Sequence, residues 1–405
     1  MHKVLYISYD GMTDPLGQSQ VLPYLKGLSK KGYEFHLISF EKPHRRTAYG
    51  ELIENYCSEA GINWYPQNYT KKPPLLSTIK DVRKLRKVAR NLCKKHQFSI
   101  VHCRSYIPAL TALSLKKKYH IPFLFDMRGF WADERVEGFV WDLKNPAFRL
   151  VYNYFKQKEV HFFNNADEIV SLTENGKKEI LSWKKLNSPL PITVIPCCVD
   201  TELFDPTVVN SLRLEKLRKA LHIEEKDFIL GYVGSIGTWY MLEEMLHFFK
   251  IQLKKNNRLK FLLVTGEPSE EILYKASELG IPKEKIITVS TAHKYVPLHI
   301  ALFDFSIFFI RPTFSKKASS PTKQGELMAM GKPVICNTGC GDTDVIVKKY
   351  NAGICLTDLN QETFQNAELD PTTFDSVKIR EGALDYFSLE KGVEKYHAIY
   401  ERIKN

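Results

Sequence analysis

The stretch Ser319–Gly331, reading SSPTKQGELMAMG, concentrates the residues best suited to chemistry. Ser320 is a good helix N-cap, Pro321 fits the first helical position, and Gly331 stops the helix. Lys323 then falls in the first turn, where the helix dipole favours acids rather than a cation. Unpaired backbone N–H groups at that end, the dipole and the added lysine together make an anion site matched to a diphosphate. Gly325 removes side-chain bulk where a ligand could approach. Glu326, one turn on, has a carboxylate able to accept hydrogen bonds from two adjacent hydroxyls, as a ribose presents. The same spacing also suits an ordinary capped surface helix with a stray lysine.

Other polar residues cluster after apolar runs. In Gly231–Tyr240, reading GYVGSIGTWY, Gly234 and Gly237 permit close backbone approach, and Ser235 and Thr238 offer hydroxyls. Arg311 carries forked donors that suit phosphate or a surface salt bridge. Phe123–Glu134, reading FLFDMRGFWADE, brings Asp126, Arg128 and Asp133 together, with the aromatic face of Trp131 beside them in sequence. Arg128 would stabilise developing charge and Asp126 would orient a hydroxyl. A buried salt bridge holding the loop is the alternative. His102 and Arg104 end the preceding apolar run, and His102 also fits a satisfied core histidine.

These residues need a scaffold, and the periodicity supplies one. Short apolar runs at Val4–Tyr9, Glu34–Phe40, Ile62–Tyr65, Ile100–His102, Phe123–Asp126 and Glu168–Leu172 predict strands. A loop over Asp10–Gln18 leads into a helix capped by Ser19, and further helices are predicted over Lys80–Lys95 and Pro108–Lys118. A second series, Phe228–Val233, Lys260–Thr265, Lys285–Val289, Phe305–Ile310, Pro333–Cys336 and Gly353–Cys355, follows the Pro-containing stretch Asn187–Pro196. Helices over Tyr240–Lys254 and Pro321–Met330 fall between. Alternating strands and helices predict two α/β halves with parallel sheets, hinged near residue 190. The halves are expected to face a cleft at the carboxyl ends of their strands, where ligands bind in open α/β sheets. A last helix, about Leu389–Ile403, aligns Val393, Tyr396 and Tyr400.

Composition agrees with two ordinary domains. The chain has 405 residues, 44% hydrophobic and 26% charged, with no apolar run near the length of about 18 that a membrane span needs. The start, MHKVLYISYDG, lacks the pattern of a secretory signal, so the protein is expected to stay in the cytoplasm. Its eight cysteines form no CxxC pair and read as reduced, mostly buried thiols. A net charge of +12 favours anionic partners, but no nucleic-acid motif accompanies it. The basic residues Lys80, Arg83, Lys84, Arg86, Lys87, Arg90, Lys94 and Lys95 share the Lys80–Lys95 helix with an apolar stripe. That face is either a solvated helix surface or a peripheral contact with anionic lipid.

The run Glu326-Leu-Met-Ala-Met-Gly-Lys-Pro-Val resembles the nucleotide-sugar site of GT-B glycosyltransferases, particularly glycosyltransferase family 4. Members carry a further acid eight residues earlier; here that position is Ala318. The resemblance implies that Glu326 binds a donor ribose and Lys323 lies near the diphosphate. Gly17-Gln18-Ser19-Gln20 looks like the family's N-terminal loop, which closes over donor and acceptor. Val194–Phe204 is similar to the run opening the second domain, with Cys197-Cys198 replacing its usual Asn-Gly. The arginine and lysine common in the Gly231–Tyr240 loop are absent, as is the active-site histidine of the Phe123–Glu134 loop.

The implied fold is GT-B, an α/β fold with two Rossmann-like domains. Residues 1–190 would bind acceptor, residues 191–385 would bind the nucleotide sugar, and residues 386–405 would return toward the first domain. The implied reaction is retaining transfer from a nucleotide diphosphate sugar to a glycan or lipid-linked acceptor, with no cofactor or metal. Catalytic roles fall to Arg128, Asp126 and Lys323. Donor contacts fall to Gly17, Gly234, Ser235, Thr238, Arg311, Ser320, Thr322, Lys323 and Glu326, and acceptor or sugar contacts to Gln18, Trp131, His102 and Arg104. A sugar-nucleotide epimerase and a non-catalytic sugar-nucleotide-binding partner are the alternatives.

Overall fold

The computed structural model describes residues 2–187 and 189–404. The chain divides into two compact units, Met1–Cys198 with Leu389–Asn405, and Val199–Ser388. The first holds strands β1 (His2–Ser8), β2 (Tyr33–Glu41), β3 (Ile62–Asn68), β4 (Ile100–Arg104), β5 (Phe123–Asp126), β6 (Glu168–Ser171) and β7 (Ile192–Val194). The second holds β8 (Phe228–Val233), β9 (Leu259–Val264), β10 (Ile286–Val289), β11 (Phe305–Phe308), β12 (Val334–Asn337) and β13 (Gly353–Leu356).

The first sheet has order β3-β2-β1-β4-β5-β6-β7 and the second β10-β9-β8-β11-β12-β13. Every strand pairing is parallel among the described residues. Parallel strands covered on both faces must be apolar along most of their length, which is why short hydrophobic runs marked them in the sequence. In each sheet the order reverses once, between β1 and β4 and between β8 and β11. Such a switch point leaves a crevice at the carboxyl ends of the two central strands.

Several boundaries differ from expectation. Ile192–Val194 was expected to be hinge, yet it pairs with β6 as the seventh strand. The prolines at 191 and 196 flank it, so β7 escapes a periodicity argument. The first unit consequently runs to Cys198 rather than residue 190. The expected loop Asp10–Gln18 contains the start of a helix, Pro15–Gln20, and a second helix follows at Leu22–Ser29. Ser19 therefore caps nothing; its hydroxyl donates to the carbonyl of Pro15 inside the helix at 2.9 Å. The last helix, Leu389–Lys404, buries Val393, Tyr396, Ile399 and Tyr400 in the core of the first unit.

Packing is tight beside the second switch point. A Cβ placed on Gly231, in the middle of β8, would stand 2.1 Å from the Phe303 ring. Gly231→Ala should therefore lower stability by about 1–3 kcal/mol. Gly237→Ala, with no atom within 4 Å of the added carbon, should change it little. Equal chemical-denaturation midpoints for the two variants would contradict this packing.

Candidate functional site

In the second unit, chemistry gathers at the carboxyl ends of β8 and β11. The helix predicted from Pro321 spans Thr322–Ala329. Pro321, not Ser320, occupies the N-cap, with φ −69° and ψ 117°, and no side chain caps the turn. Ser320 and Thr322 flank that end, both half-buried. The first turn holds no acid, and Lys323 places a cation at the positive end of the dipole.

Lys323 is 6% exposed. Its Nζ donates to Tyr232 Oη at 2.6 Å and lies 3.9 Å and 3.4 Å from the ring centroids of Tyr232 and Tyr240. Tyr232 Oη in turn donates to the Ser235 carbonyl at 2.5 Å. Gly234 has φ +106°, and a Cβ there would meet Lys323 Cε and Nζ at 3.3 Å. The ammonium thus sits directly under the turn that leaves β8. Burial pulls the Lys323 pKa well below the ordinary lysine value, with Glu326 opposing only in part.

Glu326 points its carboxylate elsewhere. Its Oε1 lies 3.1 Å from Nε2 of His293, a residue in the short turn His293–Tyr295 after β10. Ser235 and Thr238 are exposed on the loop after β8. Arg311 is half-buried; its backbone N–H donates to Trp239 O at 3.0 Å and its guanidinium lies 5.0 Å from the Trp239 ring. Lys316, buried in the turn Phe314–Ala318, places Nζ 3.6 Å from the same ring. Gly325 does not open space for a ligand: a Cβ there would stand 3.1 Å from the Phe387 ring, so helix packing demands the glycine.

In the first unit the residues converge on Asp126, at the end of β5 and 1% exposed. Its Oδ2 accepts from Tyr396 Oη at 3.1 Å. Around it stand His102 Nε2 at 3.6 Å, Arg104 Nη1 at 4.0 Å and Arg128 Nη1 at 3.8 Å. Those three distances exceed a hydrogen bond. His102 Nε2, Arg104 Nη1 and Asp126 Oδ1 are buried without a hydrogen-bond partner among the described residues. Burial alone would raise the Asp126 pKa; Arg128, His102 and Arg104 outweigh it and hold the carboxyl below its ordinary value. Burial likewise lowers His102, whose Nδ1 is 2.7 Å from Tyr400 Oη. Arg128 adopts φ +59°, a conformation that costs a non-glycine residue energy, and its Nη2 reaches Cys197 Sγ at 3.2 Å.

The remaining predicted contacts lie in packed settings. Trp131 stacks on Tyr106 with centroids 5.9 Å apart and meets Trp141 and Phe155 edge-on at 5.2 and 4.8 Å. Its ring belongs to an aromatic cluster that braces the helix Trp131–Glu137, which leaves less of it open for a sugar than expected. Gly17 is helical, and a Cβ there would come within 2.2 Å of Gly11 O, so the close approach it serves is to its own chain. Gln18 Nε2 donates to Thr13 O at 3.1 Å.

Sequence reasoning missed Glu41 and His293. Glu41, fully buried at the end of β2, accepts from Met12 N, Thr13 N, Thr13 Oγ1 and Ser39 Oγ at 2.8, 3.0, 2.6 and 2.6 Å. It fixes the turn before Gly17, and an acid closing the run FHLISFE was its one visible signal. Asp342 and Asp344 stand in an Asp-x-Asp spacing, contrary to the expectation that the sequence carries no such metal motif. Asp342 accepts from Tyr386 Oη at 3.1 Å and Asp344 pairs with Lys348 at 3.6 Å. No group of three metal-ligating side chains gathers among the described residues.

Comparison with known proteins follows the two units. A model described as Glycosyltransferase Family 4 matches residues 18–203, and one described as Glycosyl transferases group 1 matches residues 214–368. An Escherichia coli UDP-Gal:alpha-D-GlcNAc-diphosphoundecaprenol alpha-1,3-galactosyltransferase is 25% identical over 226 residues, 54% of this chain and 52% of that protein. The chain thus spans about half the length of that curated relative. A sucrose-phosphate synthase from Thermosynechococcus elongatus superposes with TM-score 0.74 at 14% identity, covering 100% of this chain and 99% of that one. An Anabaena protein in complex with UDP and glucose gives 0.70 at 13% identity, covering 99% and 100%.

The buried lysine makes a stability prediction. An unfolded lysine is protonated below about pH 10.4, whereas folding disfavours the proton on Lys323. The unfolded state therefore binds more protons as pH falls from that value toward the lowered folded one, and stability falls with it. Lys323→Met removes the penalty. The variant should melt a few degrees above the wild type at pH 7.5, with a smaller gap at pH 10, by calorimetry without ligand. A variant that melts lower at pH 7.5 would contradict it.

With the first unit carrying the family 4 match and the second the group 1 match, the chain belongs to the GT-B glycosyltransferases of family 4/group 1.

Proposed function

We propose that this glycosyltransferase transfers a sugar, with retention, from a UDP-sugar to a lipid-linked or glycan acceptor in cell-surface polysaccharide or glycolipid synthesis. The observation that carries the reading is Lys323, a buried ammonium at the positive end of a helix and directly under Gly234. Two linked phosphates at that turn would restore the charge environment that burial removes. The E. coli relative is named for UDP-Gal and a diphosphoundecaprenol-linked acceptor, and the Anabaena structure holds UDP; both favour uridine over other bases.

The sugar C1–O bond to the diphosphate breaks and leaves oxocarbenium-like charge on the ring. The acceptor hydroxyl attacks C1 from the same face, and its proton passes to the departing diphosphate. Lys323 and the helix end stabilise the negative charge gained by the leaving group. Glu326 takes the ribose hydroxyls, with Ser235, Thr238, Ser320, Thr322 and Arg311 as further donor contacts. Asp126 orients the acceptor hydroxyl and Arg128 meets developing charge. Three unsatisfied polar atoms around Asp126 support a ligand-binding role, since buried polar groups in proteins are rarely left unpaired.

Membrane contact is part of the proposal. No helix is long and apolar enough to cross a membrane among the described residues. The helix Leu76–Lys95 buries Val82, Leu85, Ala89 and Leu92 and exposes Lys80, Arg83, Lys87 and Arg90. Leu76 and Ile79 are also exposed on its first turns. A basic face with protruding apolar residues suits an anionic bilayer surface on the cytoplasmic side.

Thermal shift against UDP-, GDP- and ADP-glucose tests the donor: UDP-glucose should raise the melting temperature, and Lys323→Ala should remove the shift. With a diphosphoprenol-linked sugar as acceptor, Lys323→Ala and Arg128→Ala should each lower kcat at least a hundredfold. Incubation with donor alone should yield no isomerised sugar nucleotide; an isomerised product would favour an epimerase. Arg83→Glu with Lys87→Glu should weaken flotation with phosphatidylglycerol vesicles about tenfold or more, as roughly 1 kcal/mol accompanies each basic residue. Unchanged flotation would remove the membrane contact.

A further inference from the structure

We infer that His293 is a positioning residue for the donor, holding the Glu326 carboxylate so that its second oxygen is presented to the two hydroxyls of a nucleotide ribose. The inference rests on the proposed role of Glu326 in ribose binding and adds what orients it.

A glutamate side chain is long and turns freely about its bonds, and a clamp for adjacent hydroxyls needs one orientation. In this structure one oxygen is already committed. Glu326 Oε1 lies 3.1 Å from His293 Nε2, while the carboxylate is 9% and the imidazole 51% exposed. The ring rests against Phe204, 5.4 Å between centroids and tilted 58°. His293 is therefore fixed on one side by packing and on another by the carboxylate.

A pair with one member half-exposed contributes little to folding. Orienting Glu326 is what remains for the contact to do. The hydrogen bond to Glu326 raises the His293 pKa above its ordinary value against the effect of burial, and Asp200 adds to the rise. Glu326 also faces Lys323 from one turn away on its own helix. Below the raised value His293 is charged and the pair has its full charge-assisted strength. As pH rises through that value the pair decays to a neutral hydrogen bond, roughly half as strong.

The test compares affinities for UDP and 2′-deoxy-UDP, so that titration of the phosphates cancels in the ratio. Calorimetric titrations at pH 6.0 and 8.5 would use wild type, His293→Gln, His293→Ala and Glu326→Ala. The wild type should prefer UDP by about tenfold to hundredfold at pH 6.0, the range for a hydrogen bond to a charged group, and less at pH 8.5. His293→Gln, which keeps a donor at the same reach but cannot titrate, should retain a preference that no longer changes with pH. His293→Ala should lose about tenfold of the preference, and Glu326→Ala all of it. If Glu326→Ala abolishes the preference while His293→Ala keeps the wild-type value and pH trend, the role of His293 is overturned and the donor reading stands. If Glu326→Ala keeps the preference, or UDP does not bind the wild type, the ribose reading falls and the inference falls with it.

Discussion

A buried ammonium without a carboxylate partner is the constraint around which the second unit is arranged. Lys323 forms no ion pair among the described residues; its neighbours are two tyrosine rings and one phenolic oxygen. Dehydrating an ammonium is expensive, and aromatic faces recover only part of the loss. The local backbone adds to the tension, because the helix directs its positive end at the same point. Without ligand, the site satisfies itself by disfavouring the proton on the lysine. An anion that brings two charges to the turn reverses that preference. On the proposed reading, the same features that weaken the empty protein would become binding energy for a diphosphate, which is how a preorganised site differs from a surface lysine.

The first unit shows a related arrangement with the signs exchanged. Asp126 is a buried carboxylate with His102, Arg104 and Arg128 standing 3.6 to 4.0 Å away. The two arginines and the imidazole lower its pKa from beyond hydrogen-bond distance, while the Tyr396 hydroxyl donates to it at 3.1 Å. Such spacing leaves hydrogen-bonding capacity in place. The backbone contributes as well, since Arg128 sits in the left-handed region and is followed by Gly129 at φ +121°. The C-terminal helix enters this balance through Tyr396 and Tyr400, so a segment distant in sequence sets the environment of the strand ends.

What the sequence made legible follows from the range of the interactions involved. Buried parallel strands must be apolar runs, and twelve of the strands named above coincide with runs such as Phe228–Val233 and Phe123–Asp126. β7, only Ile192–Val194 between prolines, has too few residues to show a period. The placement of Lys323 and Glu326 one turn apart on a helix was readable because that helix is local. His293 was not, because it meets Glu326 from 33 residues away. Glu41 reaches Met12 across 29 residues and was hidden for the same reason. Glycines need the same care: Gly325 reads as room for a ligand and Gly17, by resemblance, as a donor contact, whereas the structure uses both for contact with their own chain. Absence of a side chain says that something comes close, not what it is.

Lys323 and Glu326 themselves pose a further question, because residues three apart on a helix face are neighbours and a lysine and a glutamate there normally pair. Had they paired, the ammonium would be neutralised before any phosphate arrived and the carboxylate would be occupied before any hydroxyl. The fold keeps them apart by giving each another partner. Tyr232 takes the ammonium at 2.6 Å and Tyr240 covers it, while His293 takes the carboxylate at 3.1 Å. The three partners come from β8, from the loop that follows it and from the turn after β10, so the separation is made by tertiary structure rather than by the helix. On the proposed donor reading, one short helix would then present a cation to phosphate and an acceptor to sugar hydroxyls one turn apart, in the order of groups along a nucleoside diphosphate.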